Sequence, residues 1–187
     1  MKNSTTKMDT LALKENPKYL FFWGHTGNNP KCYLSQWYPC RFVVDGVEYS
    51  SAEQYMMAQK AVLFGDDETL KKILAASSPM EIKALGREVK GFDEEAWNSH
   101  CNDIVRTGNL AKFSQNSEMK AFLLDKTGDM ILVEASPYDK IWGIGMSECI
   151  AAHDPKNWQG ENRLGYILTE VRKMMREGKV DEMGRKQ

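Results

Sequence analysis

The chain has 187 residues, 42% of them hydrophobic and 27% charged. Those proportions exclude a disordered polymer and suit one globular domain with a sizeable core. Lys plus Arg (25) against Asp plus Glu (26) leaves a formal charge of −1, which excludes a broad basic surface for non-specific nucleic-acid binding but leaves room for a local phosphate site.

Residues 1–17 are polar and unpatterned; they read as a flexible leader with no signal-peptide core. No apolar run approaches the ~18 residues of a membrane span, so no membrane partner is expected and the expected location is cytoplasmic. Residues 19–23 are aromatic, bounded by Pro17 and Gly24, and predict a strand. Residues 24–39 carry Gly, Asn and Pro and predict an irregular segment. Residues 41–49 predict a hairpin turning at Asp45-Gly46. Ser50-x-x-Glu53 has the spacing of a capping box and opens a helix. Residues 55–64 are apolar on nearly every side, which predicts a buried helix.

Ser78-Pro79 starts a short helix ending near Gly86. Asp93 starts a longer one, which Gly108 should break or bend, leaving 110–113 as a separate turn. Ser117 should cap a further helix, and residues 130–135 predict a strand. Residues 136–158 form a long loop, of the kind that often carries function. The final helix is expected from Asn162 to Arg176, followed by a charged tail at 178–187. The elements make an α+β fold: a small β-sheet with several helices around a central buried helix, in a single domain over 18–177.

Cys32, Cys40, Cys101 and Cys149 include no C-x-x-C pair, and His25, His100 and His153 are scattered. This spacing gives no zinc signature, so reduced thiols and no metal are expected. Three segments can carry chemistry. On the central helix, Glu53 and Lys60 are seven residues apart. Two helical turns put them on one face, about 10 Å apart along the axis. A carboxylate and an amine on an apolar helix are costly to bury without a purpose. The plainer alternatives are a capping role for Glu53 and a solvent-reaching side chain for Lys60.

In the second segment, residues 133–145, a strand runs into a loop holding Asp139, Trp142, Gly143 and Gly145. Asp139 could handle protons or hydroxyls, Trp142 could stack on a base, and the Gly143 backbone could approach an anion. The alternative is a turn, with Asp139 as a local acceptor and Trp142 in the core. The third segment is the start of the last helix, where free N–H groups at Asn162 and the fork of Arg163 could receive phosphate. Simple capping by Asn162 with a solvated Arg163 is the alternative.

The segments Leu34-Ser35-Gln36-Trp37-Tyr38-Pro39, Val44 to Tyr55, Ala58-Gln59-Lys60, Ser78-Pro79, Leu85-Gly86-Arg87, Ala111-Lys112-Phe113, Ala135 to Gly145 and Asn162-Arg163-Leu164-Gly165 occur in one order. Together they resemble the NADAR family (NAD- and ADP-ribose-associated), over about residues 19–172. The chain departs from the family where Gln36-Trp37 stands for Asn-Phe and Gln54 for His. The resemblance implies an N-glycosidase cutting a ribose C1–N bond without a cofactor. The implied substrate is ADP-ribose on guanine, in nucleotides or with local contact to nucleic acid. The competing substrates are phosphorylated ribosylaminopyrimidine intermediates of riboflavin biosynthesis. A non-catalytic ADP-ribose reader is a third reading. Under the enzymatic readings Glu53, Lys60 and Asp139 are catalytic, and Trp97, Trp142, Gly143, Asn162 and Arg163 bind substrate.

Overall fold

The structure is a computed structural model and describes residues 18–151 and 155–187. The expected leader lies outside the described residues. Strand β1 (Tyr19–Phe22) pairs in parallel with β4 (Ile131–Glu134), with Tyr19 opposite Ile131 and Phe22 opposite Glu134. Parallel strands need cover on both faces. Here Leu20, Phe22 and Leu132 enter the main core, while Phe21, Val133 and Ala135 pack with Ile144 and Ala151 in a second cluster. The hairpin is present as β2 (Phe42–Val44) and β3 (Val47–Tyr49). Its turn residues Asp45 (φ 49°) and Gly46 (φ 81°) both take the left-handed conformation that a tight hairpin turn demands.

Helix α1 (Ala52–Leu63) buries residues 52–58 without a break, and Ala61 beyond them. Its start corrects the expected cap. Ser51, one residue on, accepts the Gln54 backbone N–H at 3.1 Å. Gln54, rather than Glu53, reaches back and accepts the Ser50 N–H at 2.7 Å. Glu53 is thereby released from capping. A second helix, α2 (Asp67–Ala75), was not anticipated, although Asp66 caps Thr69 and Leu70, Ile73 and Leu74 have helical spacing. α3 (Pro79–Arg87) follows the expected start. α1 packs against α2, α3 and α4 (Glu94–Gln115), which makes it the central helix.

α4 also corrects an expectation, because it runs unbroken through Gly108 and includes 110–113. A Cβ at Gly108 would lie 2.5 Å from Tyr55 Cδ1. The glycine therefore lets the Tyr55 ring of α1 sit against the α4 backbone, and this burial outweighs the ~1 kcal/mol propensity cost. The short α5 (Ser117–Ala121) continues into a π-helical turn at Phe122–Lys126. Ser117 is its first residue and not its cap; Asn116 precedes it and sends its side-chain amide to the Arg41 and Lys112 carbonyls. The 136–158 segment contains a short helix, α6 (Glu148–Ala151). α7 (Arg163–Arg176) closes the core over β4. The last ten residues fold back on α4, where Gln115 donates to the Met183 carbonyl at 3.2 Å. Among the described residues no helix is long and apolar enough to cross a membrane.

Candidate active site

The start of α1 is tied to the 35–37 segment. The Glu53 N–H donates to the Gln36 carbonyl at 2.9 Å. α4 holds that segment from behind: Asn109 donates to Gln36 Oε1 at 2.8 Å, and the fully buried Lys112 ammonium donates to the Ser35 carbonyl at 2.8 Å. Trp37 is thus delivered beside the Glu53 carboxylate, whose charged form it favours. Lys83 of α3 lies over the Trp37 ring, 5.6 Å from its centroid. Gln54 faces away from this group and donates to the carbonyls of Ile73 and Ala76. At this position the chain uses a structural tie.

Glu53 is only 4% exposed. Burial pushes its carboxyl up to about 7; Asp139 pushes the same way, while Lys83, Trp37 and Arg87 oppose. Asp139 is brought there by its turn. Ser136 Oγ accepts the Tyr138 and Asp139 N–H groups, and Asp139 Oδ1 accepts those of Ile141 and Trp142 at 2.9 and 2.8 Å. One Asp139 oxygen is therefore structural, and the group still adds negative charge beside Glu53. A third carboxyl, Glu134 at the end of β4, also faces both. Among the described residues no three His, Cys, Asp or Glu side chains are placed to hold a metal ion.

Lys60 sits further along the same helix. Its ammonium donates to the Gly86 carbonyl at 2.8 Å and lies 4.3 Å from the Phe92 ring centroid and 5.6 Å from that of Trp97. Burial and the Arg87 guanidinium both push its pKa down. The approach of α3 makes this possible, since a Cβ on Gly86 would collide with Met57. Glu53 and Lys60 do not neutralise each other. The charges acting on Glu53 include Lys83, Asp139 and Arg87, and of these Arg87 also acts on Lys60.

The structure brings Glu53 to Asp139, and Lys60 to Trp97. It does not bring Asn162 and Arg163 to either pair. Asn162 is fully buried at φ 54°, a conformation asparagine tolerates. Its Oδ1 accepts the Glu134 N–H at 2.9 Å and its Nδ2 donates to the Leu132 carbonyl at 3.0 Å. The side chain thus takes the place of a neighbouring strand beside β4. The backbone N–H groups of Asn162, Arg163 and Leu164 are spent on the carbonyls of Gly143, Ile141 and Trp142. The Arg163 guanidinium pairs with Glu161 at 2.6 Å and reaches Asn98. The backbone donors of this helix start and part of the Arg163 fork are thus engaged within the chain. Gly143 is buried, and a Cβ there would lie 2.9 Å from the Glu134 carbonyl, so it serves close packing of the loop. Trp142 is partly buried against the main core.

Four members of the site were missed from sequence: Glu134, Trp37, Lys83 and Arg87. Trp37 and Arg87 lie in segments that carry the family resemblance, which was the available signal. Lys83, over the Trp37 ring, had none. Two cavities among the described residues lie elsewhere. One, of about 420 Å³, includes Phe21, Trp23 and Cys149; the other, of about 400 Å³, lies between the hairpin, α4 and the C-terminal residues.

The fold is α+β, centred on one helix that carries a desolvated carboxyl group and a desolvated amine. The chain belongs to the NADAR family: the NADAR domain matches residues 21–176. N-glycosidase R617 of Acanthamoeba polyphaga mimivirus is 47% identical over 165 residues, covering 84% of this chain and 96% of that protein. N-glycosidase YbiA of Escherichia coli is 34% identical over 132 residues, covering 71% and 74%. The NMR structure of the E. coli protein YbiA superposes with a TM-score of 0.71 at 29% identity, over 87% of each chain. The enzyme class is N-glycosyl hydrolase.

Proposed function

We propose that the enzyme removes ADP-ribose from guanine by cutting the ribose C1–N bond, with Glu53 and Lys60 as its central pair. The observation that carries this reading is their arrangement on one face of α1, each desolvated and neither neutralising the other. Breaking a C1–N bond builds positive charge on the sugar, and a carboxylate facing C1 stabilises it. Asp139 would hold sugar hydroxyls beside Glu53. A lysine whose ammonium is disfavoured by burial supplies the neutral amine that can bond to C1. The sugar then opens to an imine, which water hydrolyses. Trp97, against Lys60, would wall the sugar or base. Lys83 and Arg87 form no ion pair among the described residues and are suited to the diphosphate. ADP-ribose is favoured by the family's association with that ligand.

The test is a side-by-side turnover assay on ADP-ribosylated guanosine and on a ribosylaminopyrimidine phosphate, with release of guanosine or of the free pyrimidine as the readout. Faster release of guanosine supports the reading. Preference for the pyrimidine would keep the chemistry and replace the substrate. Inertness toward both would overturn the reading.

A further inference from the structure

Glu134 ends β4 beside the loop that carries Asp139. Side chains alternate along a strand. Val133 and Ala135 face the second cluster, so Glu134 turns to the Leu132 side, where the main core and α1 lie. Its Oε2 is shielded from solvent and has no hydrogen-bond partner. Buried polar atoms in folded proteins are nearly always paired, and the exceptions need a cause. The charged groups facing this one are Asp139 from the following loop, Glu53 from α1 and Lys83 from α3. Two carboxylates against one cation disfavour a third negative charge. The backbone at Glu134 is fixed by Asn162, and its carbonyl accepts the Ile144 N–H at 2.9 Å, so the side chain is presented from a rigid strand end.

We propose that Glu134 is a further catalytic residue, the acid that delivers a proton to the leaving nitrogen while Glu53 faces the charge at C1. The inference rests on the N-glycosidase reading. The C1–N electron pair leaves with the base, which takes the Glu134 proton. The Lys60 amine then bonds to C1, and the proton it releases returns to Glu134. Ring opening gives the imine; water adds to it and frees the sugar and the amine. Burial and the two neighbouring carboxylates push the Glu134 carboxyl up to about 8, so it keeps its proton at neutral pH.

The experiment is the pH profile of kcat/KM for base release by the wild type, Glu134→Gln and Glu134→Asp, with melting curves for each. For the wild type a fall above about pH 8 is expected as the acid is lost. Glu134→Gln should be slower by about 10²–10⁴-fold and should lack that falling limb. Glu134→Asp should be slower and keep it. A Glu134→Gln enzyme with the wild-type rate, or a slow one with the limb unchanged, would overturn the proposal. If Glu134→Gln does not fold, Glu134→Asp decides: a slower enzyme with the limb supports the role, and the wild-type rate refutes it. A wild type that releases no base from any N-riboside would remove the N-glycosidase reading itself, and the acid with it.

Discussion

Two lysines on two neighbouring helices have nearly the same surroundings and different prospects. Lys60 on α1 donates to the Gly86 carbonyl and lies over Phe92. Lys112 on α4 donates to the Ser35 carbonyl and lies 5.2 Å from the Phe113 ring centroid. Burial pushes both pKa values down, Lys112 to about 8. The difference is access. Lys112 is fully enclosed and holds the segment that presents Trp37, whereas Lys60 is only partly buried and shares its surroundings with Trp97 and the exposed Arg87. Desolvation makes an amine reactive, but a route for substrate makes it useful. Under the proposed reading, α4 positions the site and the α1–α3 side performs the reaction.

The contrast can be broken first at Lys60. Lys60→Arg should lose about 10⁴-fold in turnover, because a guanidinium stays charged and cannot act as the nucleophile. Lys112→Met should fold and keep the chemistry, with a smaller loss from a loosened 35–37 segment. Steady-state kinetics on the two variants gives the comparison. Glu53→Gln should lower kcat by about 10²–10³-fold and change the melting temperature little near pH 6.

Arginine substitutions sharpen the same division. Arg87→Ala should raise KM by about tenfold, equivalent to ~1.4 kcal/mol of binding, and the effect should shrink at high salt. Arg163→Ala should leave KM nearly unchanged, since that side chain pairs with Glu161. Titrating both variants at low and high ionic strength separates them.

Effects on stability differ in sign between the buried acid and the buried base. The Glu53 carboxyl has a folded pKa of about 7 against 4.5. The folded state therefore holds a proton that the unfolded state has released, and stability falls as pH rises through this window. Glu53→Gln should remove that fall, a gain of about 2 kcal/mol at pH 8 relative to pH 5. Lys112 has a folded pKa of about 8 against 10.5, so here the unfolded state binds the extra proton and stability rises with pH between those values. Lys112→Met should lose that rise. Denaturant melts across pH 5 to 10 would show both slopes.

Local signals in the sequence carried much of the fold. The Asp45-Gly46 turn, the apolar run of α1 and the Ser78-Pro79 start are each written in a few adjacent residues. Gly108 misled because a local propensity was outweighed by the Tyr55 ring from another helix, which no local pattern shows. The same limit applies at the site. Glu53 and Lys60 were readable because helical periodicity alone puts them on one face. Glu134 looked like the polar end of an apolar strand, and only the approach of Glu53 and Asp139 in three dimensions sets it beside the candidate site. Asn162 carried an N-cap signal, yet its side chain is spent on β4 and its N–H on the Gly143 carbonyl.

The central claim is that the accessible lysine, and not the enclosed one, bonds to the sugar. Borohydride added during turnover of ADP-ribosylated guanosine, followed by intact-protein and peptide mass spectrometry, tests it directly. The account predicts one reduced sugar adduct, located on Lys60 and absent from Lys60→Arg. An adduct on Lys112, or no adduct together with an active Lys60→Arg enzyme, would contradict it.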